Sequence, residues 1–316
     1  MDKGWKSLLP WAGAIAVAWG LGFIYNTYVG GELSWLRRMY TQKLAIAATD
    51  ETSPRLLITG GSGAHYTLDS DYLAEELGLS VLNLGIDGPV GLNVILDEIS
   101  KQVRPGDIVL LVPEYLLLLD DDGLGDRSVS FALAIGQPFT GDISLRKLLK
   151  DGWLVGVPSL RSLVKSMVDL VNKGKFTGYY DEPLTERGDP QSDRLRQVDW
   201  WKLRVPHPIT NHALGEIRQF AAVVNERGGT LIVSLPWFYG SQDEKTRNNI
   251  RRTAHSLAQI VPLIYEEYSL NIQSDETLFA DTHYHLRPVG RRLRSQQLVE
   301  QLRPVIAPIL EEETQS

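Results

Sequence analysis

The sequence predicts an α/β fold with a parallel sheet and helices on both faces, and three observations predict it. Short apolar runs alternate with segments of helical spacing. Asp107–Val112 (DIVLLV) and Thr230–Leu235 (TLIVSL) are continuously apolar, as in strands buried on both faces. The connections between neighbouring elements are short and rich in glycine and proline, which suits a doubly wound sheet.

The first element is Leu8–Tyr25, LLPWAGAIAVAWGLGFIY, which carries no charge and follows Lys3 and Lys6. At ~1.5 Å per residue it reaches about 27 Å, close to the thickness of a bilayer's hydrocarbon layer. Trp11, Trp19, Tyr25 and Tyr28 suit interfacial anchors. Ala16-Val-Ala18 also fits a signal-peptidase site. The apolar run continues past it, so residues 1–30 are expected to form an uncleaved transmembrane anchor rather than a leader or a core helix. Arg37, Arg38 and Lys43 rival Lys3 and Lys6, so charge bias sets orientation only weakly. The expectation is a cell-membrane protein with its N-terminus inside and its body extracytoplasmic.

Residues 31–53 read as a stalk, ending in the turn-forming Asp50-Glu-Thr-Ser-Pro54. The body, 54–310, opens with strand Arg55–Thr59. A helical pattern over Leu68–Leu77 stops at Gly78, and Ser80–Leu84 is a strand. Val90–Val103 has helical spacing and stops at Arg104-Pro-Gly106, before the strand Asp107–Val112. Later come a helix over Glu216–Arg227, the strand Thr230–Leu235 and a final helix over Arg291–Leu310, with 311–316 as a tail. The stretch from about 120 to 212 breaks the rhythm. It holds an apolar helix near Val155–Val171 and a polar segment, Thr177–Asp193, and reads as a helical insertion, either a lid or a structural extension.

A net charge of −7 argues against a general nucleic-acid binder. The chain has no cysteine, which removes disulfides and thiolate chemistry. No metal-ligand spacing stands out, and no cofactor is called for.

Polar residues gather where strands end, the usual place for a site in an open parallel sheet. The first strand runs into Gly60-Gly61-Ser62, the second into Asn83-Leu-Gly85-Ile-Asp-Gly88, the third into Pro113-Glu114-Tyr115. Near the C-terminus, Asp281, His283 and His285 fall within five residues. A serine hydroxyl needs a base, and the base gains from an orienting carboxylate. Ser62, His285 and Asp281 supply that set. Gly88 is the candidate oxyanion amide.

These blocks resemble the SGNH (GDSL-type) hydrolases. Gly-Gly-Ser62 is similar to the family's first block, with its nucleophile, and Asn83-x-x-x-x-Gly88 to the second, with its oxyanion glycine. His285-Leu-Arg-Pro-Val-Gly290 resembles the fifth block, with its base. The resemblance covers about 55–120 and 213–305. It implies a flavodoxin-like three-layer sandwich carrying the N-terminal transmembrane helix and the insertion as additions. The anchor resembles the DltD and AlgJ/AlgX type, which implies O-acylation or deacylation of an extracytoplasmic polysaccharide or envelope polymer beside an MBOAT-type membrane acyltransferase. The alternative is a catalytically degenerate binding or assembly protein.

The departures from the pattern are specific. Gly61 stands where the family has aspartate. Pro113-Glu114-Tyr115 replaces Gly-x-Asn, leaving Tyr115 as a possible oxyanion donor and Glu114 as an unusual acid or a backbone-bonded residue. Thr282 stands where the aspartate before the histidine belongs, with Asp281 one residue further back. His283 competes with His285 as base or contacts substrate. Ser62 also suits a helix cap. Arg291, Arg292 and Arg294 read as a solvated helix face. Trp200-Trp201 and Trp237-Phe238-Tyr239 suit either sugar stacking or core packing.

Overall fold

The protein is described by a computed structural model covering residues 3–174, 182–191 and 202–315. It is α/β, with a five-stranded, wholly parallel central sheet. In chain order the elements are α1 (Lys3–Ile24), α2 (Glu32–Thr49), β1 (Arg55–Thr59), α3 (Ser62–His65), α4 (Ser70–Leu77), β2 (Ser80–Asn83), α5 (Leu92–Ser100), β3 (Ile108–Leu111) and α6 (Tyr115–Leu118). Then follow α7 (Ser128–Ala134), α8 (Leu145–Asp151), α9 (Leu160–Lys173), α10 (Asn211–Glu226), β4 (Thr230–Ser234), β5 (Phe238–Tyr239), α11 (Glu244–Ala258), β6 (Leu263–Ile264), β7 (Ile272–Gln273) and α12 (Pro288–Gln315). Trp200-Trp201, with the rest of 192–201, and residues 175–181 of the polar stretch lie outside the described residues.

The chain divides into two compact units, 1–39 with 127–181, and 40–126 with 182–316. The second unit holds the sheet, in the order β2-β1-β3-β4-β6. Alternate strand residues face opposite ways, so Leu56, Ile58, Ile108, Leu110 and Ile232 share one face with Leu73 of α4 and Leu298 and Leu302 of α12. On the other face α5 packs with α10, which also contacts β4. The order reverses between β1 and β3, and open parallel sheets bind their ligands at that point.

At the opposite end of these strands, Arg55 forms a two-pronged pair with Asp107, Nε–Oδ1 at 2.9 Å and Nη2–Oδ2 at 2.7 Å. Both side chains are buried. Nη1 of Arg55 donates to the carbonyl of Ala47, tying the end of α2 to the sheet.

The first unit holds α1 and the middle of the insertion. Leu9–Val29 has a mean hydropathy of 1.2, long and apolar enough to cross a membrane or to act as a signal sequence. The helix expected near Val155–Val171 is displaced. A short 3-10 turn over Gly152–Gly156 precedes Pro158, and α9 starts afresh at Leu160 with the Ser159 hydroxyl accepting from the Ser162 amide. Proline removes a donor and disfavours helix in the residue before it, which separates the two segments.

Asp107→Ala leaves the Arg55 guanidinium buried without its carboxylate. It is expected to cost about 3–5 kcal/mol, and the apolar pair Arg55→Met with Asp107→Leu much less. Chemical denaturation of the three proteins checks this.

Candidate functional site around Ser62

β1 ends at Gly60, whose φ of +147° favours glycine and whose missing Cβ leaves room for the carbonyl of Val112. The chain turns there and enters α3, a single turn beginning at Ser62. From the end of β3, Glu114 reaches into this turn. Its carboxylate accepts from the Gly63 amide at 2.6 Å, the Gly61 amide at 3.0 Å and the Ser62 hydroxyl at 3.2 Å. Glu114 is fully buried.

Glycine at position 61 now has a reason. A Cβ there would collide with both Glu114 carboxylate oxygens and lie 2.6 Å from the Cα of Gly88. A Cβ on Gly63 would sit 2.7 Å from Cγ of Glu114. The backbone of the turn, Gly88 and the Glu114 side chain are therefore packed in direct contact. Burial pushes the Glu114 carboxyl above its ordinary value, while hydrogen bonds from the Gly63 amide, from its own backbone amide and from the Ser62 hydroxyl pull it back.

The loop after β7 supplies the second pair. Phe279 and Leu286 bridge in antiparallel sense and close the loop. The Thr282 hydroxyl accepts from the amides of Tyr284 and His285. The resulting turn brings Asp281 to His285, Oδ1 to Nδ1 at 2.8 Å. Nε2 of His285 is buried and has no hydrogen-bond partner among the described residues. The Tyr66 ring lies 4.3 Å from the His285 ring. Tyr284 anchors the loop to β3, its hydroxyl accepting from the Tyr115 amide at 3.0 Å.

Ser62, Glu114 and Gly88 thus meet in one place, and the Tyr66 ring, which follows α3, packs against His285 of the Asp281–His285 pair. Other expected residues serve elsewhere. Asn83 is fully buried, donating to the carbonyls of Ala64 and His65 and to Asp189, and accepting from the Gly85 amide. It holds α3 to β2 and has no surface for a substrate. The Tyr115 hydroxyl is buried without a partner among the described residues, and its ring packs edge-on against Phe238. His283 is half-buried, which lowers its pKa, and its carbonyl accepts from the Tyr239 amide. Trp237, Phe238 and Tyr239 are buried. The expected solvated arginine face fails for two of its three residues. Arg291 and Arg294 are buried, and Arg294 donates to the Ser234 hydroxyl at 2.5 Å, capping the end of β4.

A buried polar cluster beneath α3 escaped the sequence reading. The Lys43 ammonium meets Nδ1 of His65 at 2.9 Å and donates to the Gly85 carbonyl at 2.6 Å and to Asn83. Asp189 completes the cluster through Asn83 and the amide and hydroxyl of Ser70. Burial brings Lys43 down to about 7 against the opposing pull of Asp189. It also keeps His65 well below its ordinary value, so the imidazole is neutral.

No family profile and no curated protein sequence matches the chain. Among solved structures, protein YxiM from Bacillus subtilis is similar at a TM-score of 0.39 and 13% identity. The alignment covers 80% of this chain and 57% of that one, so the chain spans little more than half the length of YxiM.

Glu114 carries a pH signature. Its carboxyl is raised from 4.5 in the folded protein. The stability this contributes is fully present below the unfolded value and is lost as pH rises through the folded one. Glu114→Gln is therefore expected to remove a downward slope of stability with pH on the neutral side of 4.5. Thermal unfolding of both proteins across that window checks the sign.

Proposed function

We propose that the protein is an SGNH-like serine acyltransferase or esterase acting on a cell-envelope polymer. What supports the reading is Ser62 at the carboxyl end of the sheet, in a turn whose following residue, Tyr66, packs its ring 4.3 Å from that of His285, a histidine bonded to Asp281 and with no partner on Nε2 among the described residues. The strand order, 2-1-3-4-5 counted within the sheet, supports a flavodoxin-like layout. The displaced aspartate of the family pattern is compensated, because the Thr282 turn lets Asp281 reach His285.

In this reading Ser62 passes its hydrogen bond from Glu114 to Nε2 of His285 when an acyl ester binds. Oγ attacks the carbonyl carbon and its proton moves to His285, which Asp281 orients. The ester C–O bond breaks, the leaving alcohol takes that proton, and the acyl group stays on Ser62. Water as the next nucleophile completes hydrolysis, and a sugar hydroxyl completes transfer. Gly88 lies beside the turn as an oxyanion donor. α1 anchors the body outside the cytoplasm, and a multi-span acyltransferase of the MBOAT type is the partner that delivers or receives the acyl group.

One observation favours a second reading, a binding or assembly protein without turnover. The Ser62 hydroxyl is engaged by Glu114, and the same carboxylate fills the Gly61 and Gly63 amides.

Fluorophosphonate labelling of the full-length protein in detergent separates the two. The acyl-transfer reading expects labelling that vanishes in Ser62→Ala and drops by about 100-fold or more in His285→Ala. A folded wild type that takes no label sinks it in favour of the binding reading.

A further inference from the structure

The unit formed by 1–39 and 127–181 has a small apolar core around Leu33, Ala134 and Val155 and, beside it, a large exposed apolar face. In α9 the apolar residues Leu160, Leu163, Val164, Met167, Val168 and Val171 are exposed, three and four residues apart along one face. The same helix turns Ser162, Ser166 and Asp169 inward. Leu145 and Leu149 of α8 are exposed one helical turn apart, and Trp153, Leu154 and Val157 continue the apolar surface. In the unit that holds the sheet, the exposed large hydrophobics among the described residues are only Leu116, Tyr268, Val289 and Leu293. A water-facing unit does not gather this much apolar area, so something covers it.

Two observations identify the cover. The first is continuity with α1. The indole of Trp19 donates to the Trp153 carbonyl at 2.7 Å, and the Asn26 amide donates to the Val155 carbonyl at 2.7 Å. The Tyr25 hydroxyl donates to the Ser162 carbonyl and meets the Ser166 hydroxyl. Gly22 and Gly156 lie so close that a Cβ on either would collide with the other segment. Small residues and interhelical hydrogen bonds at a close crossing are how helices associate in lipid. The apolar outer surface of α1, including Trp11, Ile15 and Leu21, therefore runs on into that of α8 and α9.

The second is charge. From Leu145 to Lys173 the chain carries Arg146, Lys147, Lys150, Arg161, Lys165 and Lys173 against Asp151 and Asp169, a net of +4 in a chain of −7. Basic amphipathic helices of this kind lie in the plane of anionic bilayers.

We propose that Leu145–Lys173 is a second membrane-contacting element: α8 and α9 lie in the headgroup and upper acyl layer of a bilayer containing anionic lipid, beside α1. This rests on the reading of α1 as membrane-embedded. The insertion then carries a membrane platform.

The absence of cysteine makes the test direct. Met167→Cys, Leu149→Cys, Ile15→Cys and Tyr268→Cys are each labelled with NBD in the full-length protein. Each is then placed in nanodiscs of an equal mixture of phosphatidylcholine and phosphatidylglycerol. The Met167 and Leu149 labels are expected to shift to the blue. Doxyl groups high on the acyl chain should quench them more strongly than deep ones, as for an element about 5–10 Å into the interface. The Ile15 label is quenched by deep doxyl groups, and the Tyr268 label stays in water. Platform labels that behave like Tyr268 while Ile15 is quenched overturn the proposal and leave α1 in the membrane. An Ile15 label in water overturns both. Platform labels shielded from water and lipid alike mean that protein covers them, which also overturns it.

Discussion

The Glu114 carboxylate is the constraint on which the candidate site depends. A fully buried carboxylate is tolerated only where donors surround it, and here three donors come from consecutive residues of one turn. That arrangement dictates its neighbours. Gly61 and Gly63 must lack side chains for the carboxylate to come within reach of their amides, and Gly60 must take a backbone conformation that glycine favours. Ser62 is then presented at the switch point of the sheet with its hydroxyl already bonded. The Lys43–Asn83–Asp189 cluster supports α3 from beneath, through Asn83 to the carbonyls of Ala64 and His65 and through Lys43 to the His65 ring, so the turn is held by hydrogen bonds on both sides.

The two units solve opposite solvation problems. The sheet unit has apolar strands enclosed by helices, and its buried Arg55, Asp107, Glu114 and Arg294 are each held by hydrogen bonds. The other unit keeps a small apolar core around Leu33, Ala134 and Val155 but also exposes leucine, valine and tryptophan, while the Tyr25 hydroxyl and the Asn26 side-chain amide are bonded inward.

Much of the fold was legible because the strands are short apolar runs bounded by breakers. Arg55–Thr59 lies between Pro54 and Gly60 and matches β1 residue for residue. Edges were less legible where a cap decides them. α10 starts at Asn211 and not at Glu216, because the Thr210 hydroxyl accepts from the Ala213 amide. α11 was not read at all, since its buried face includes Thr246, Asn249 and Thr253, which blur the apolar period. In the site, Ser62, Asp281 and His285 stood out by type and spacing. Glu114 was read as an unusual acid or a backbone-bonded residue, and it does accept from backbone amides; which amides was not legible, because they lie more than fifty residues away in sequence. Lys43 and Asp189 gave no local sign either, and only the folded chain brings both to Asn83.

The most direct test of this account is the titration of Glu114 itself. Isotope-edited infrared difference spectroscopy, with Glu114→Gln as the reference that assigns the band, reads its protonation in the wild type and in Ser62→Ala. The account predicts a carboxyl that keeps its proton above the ordinary glutamate value of 4.5 and rises further when the Ser62 hydroxyl is removed. A Glu114 that titrates as an ordinary surface carboxylate and ignores the loss of Ser62 would contradict it.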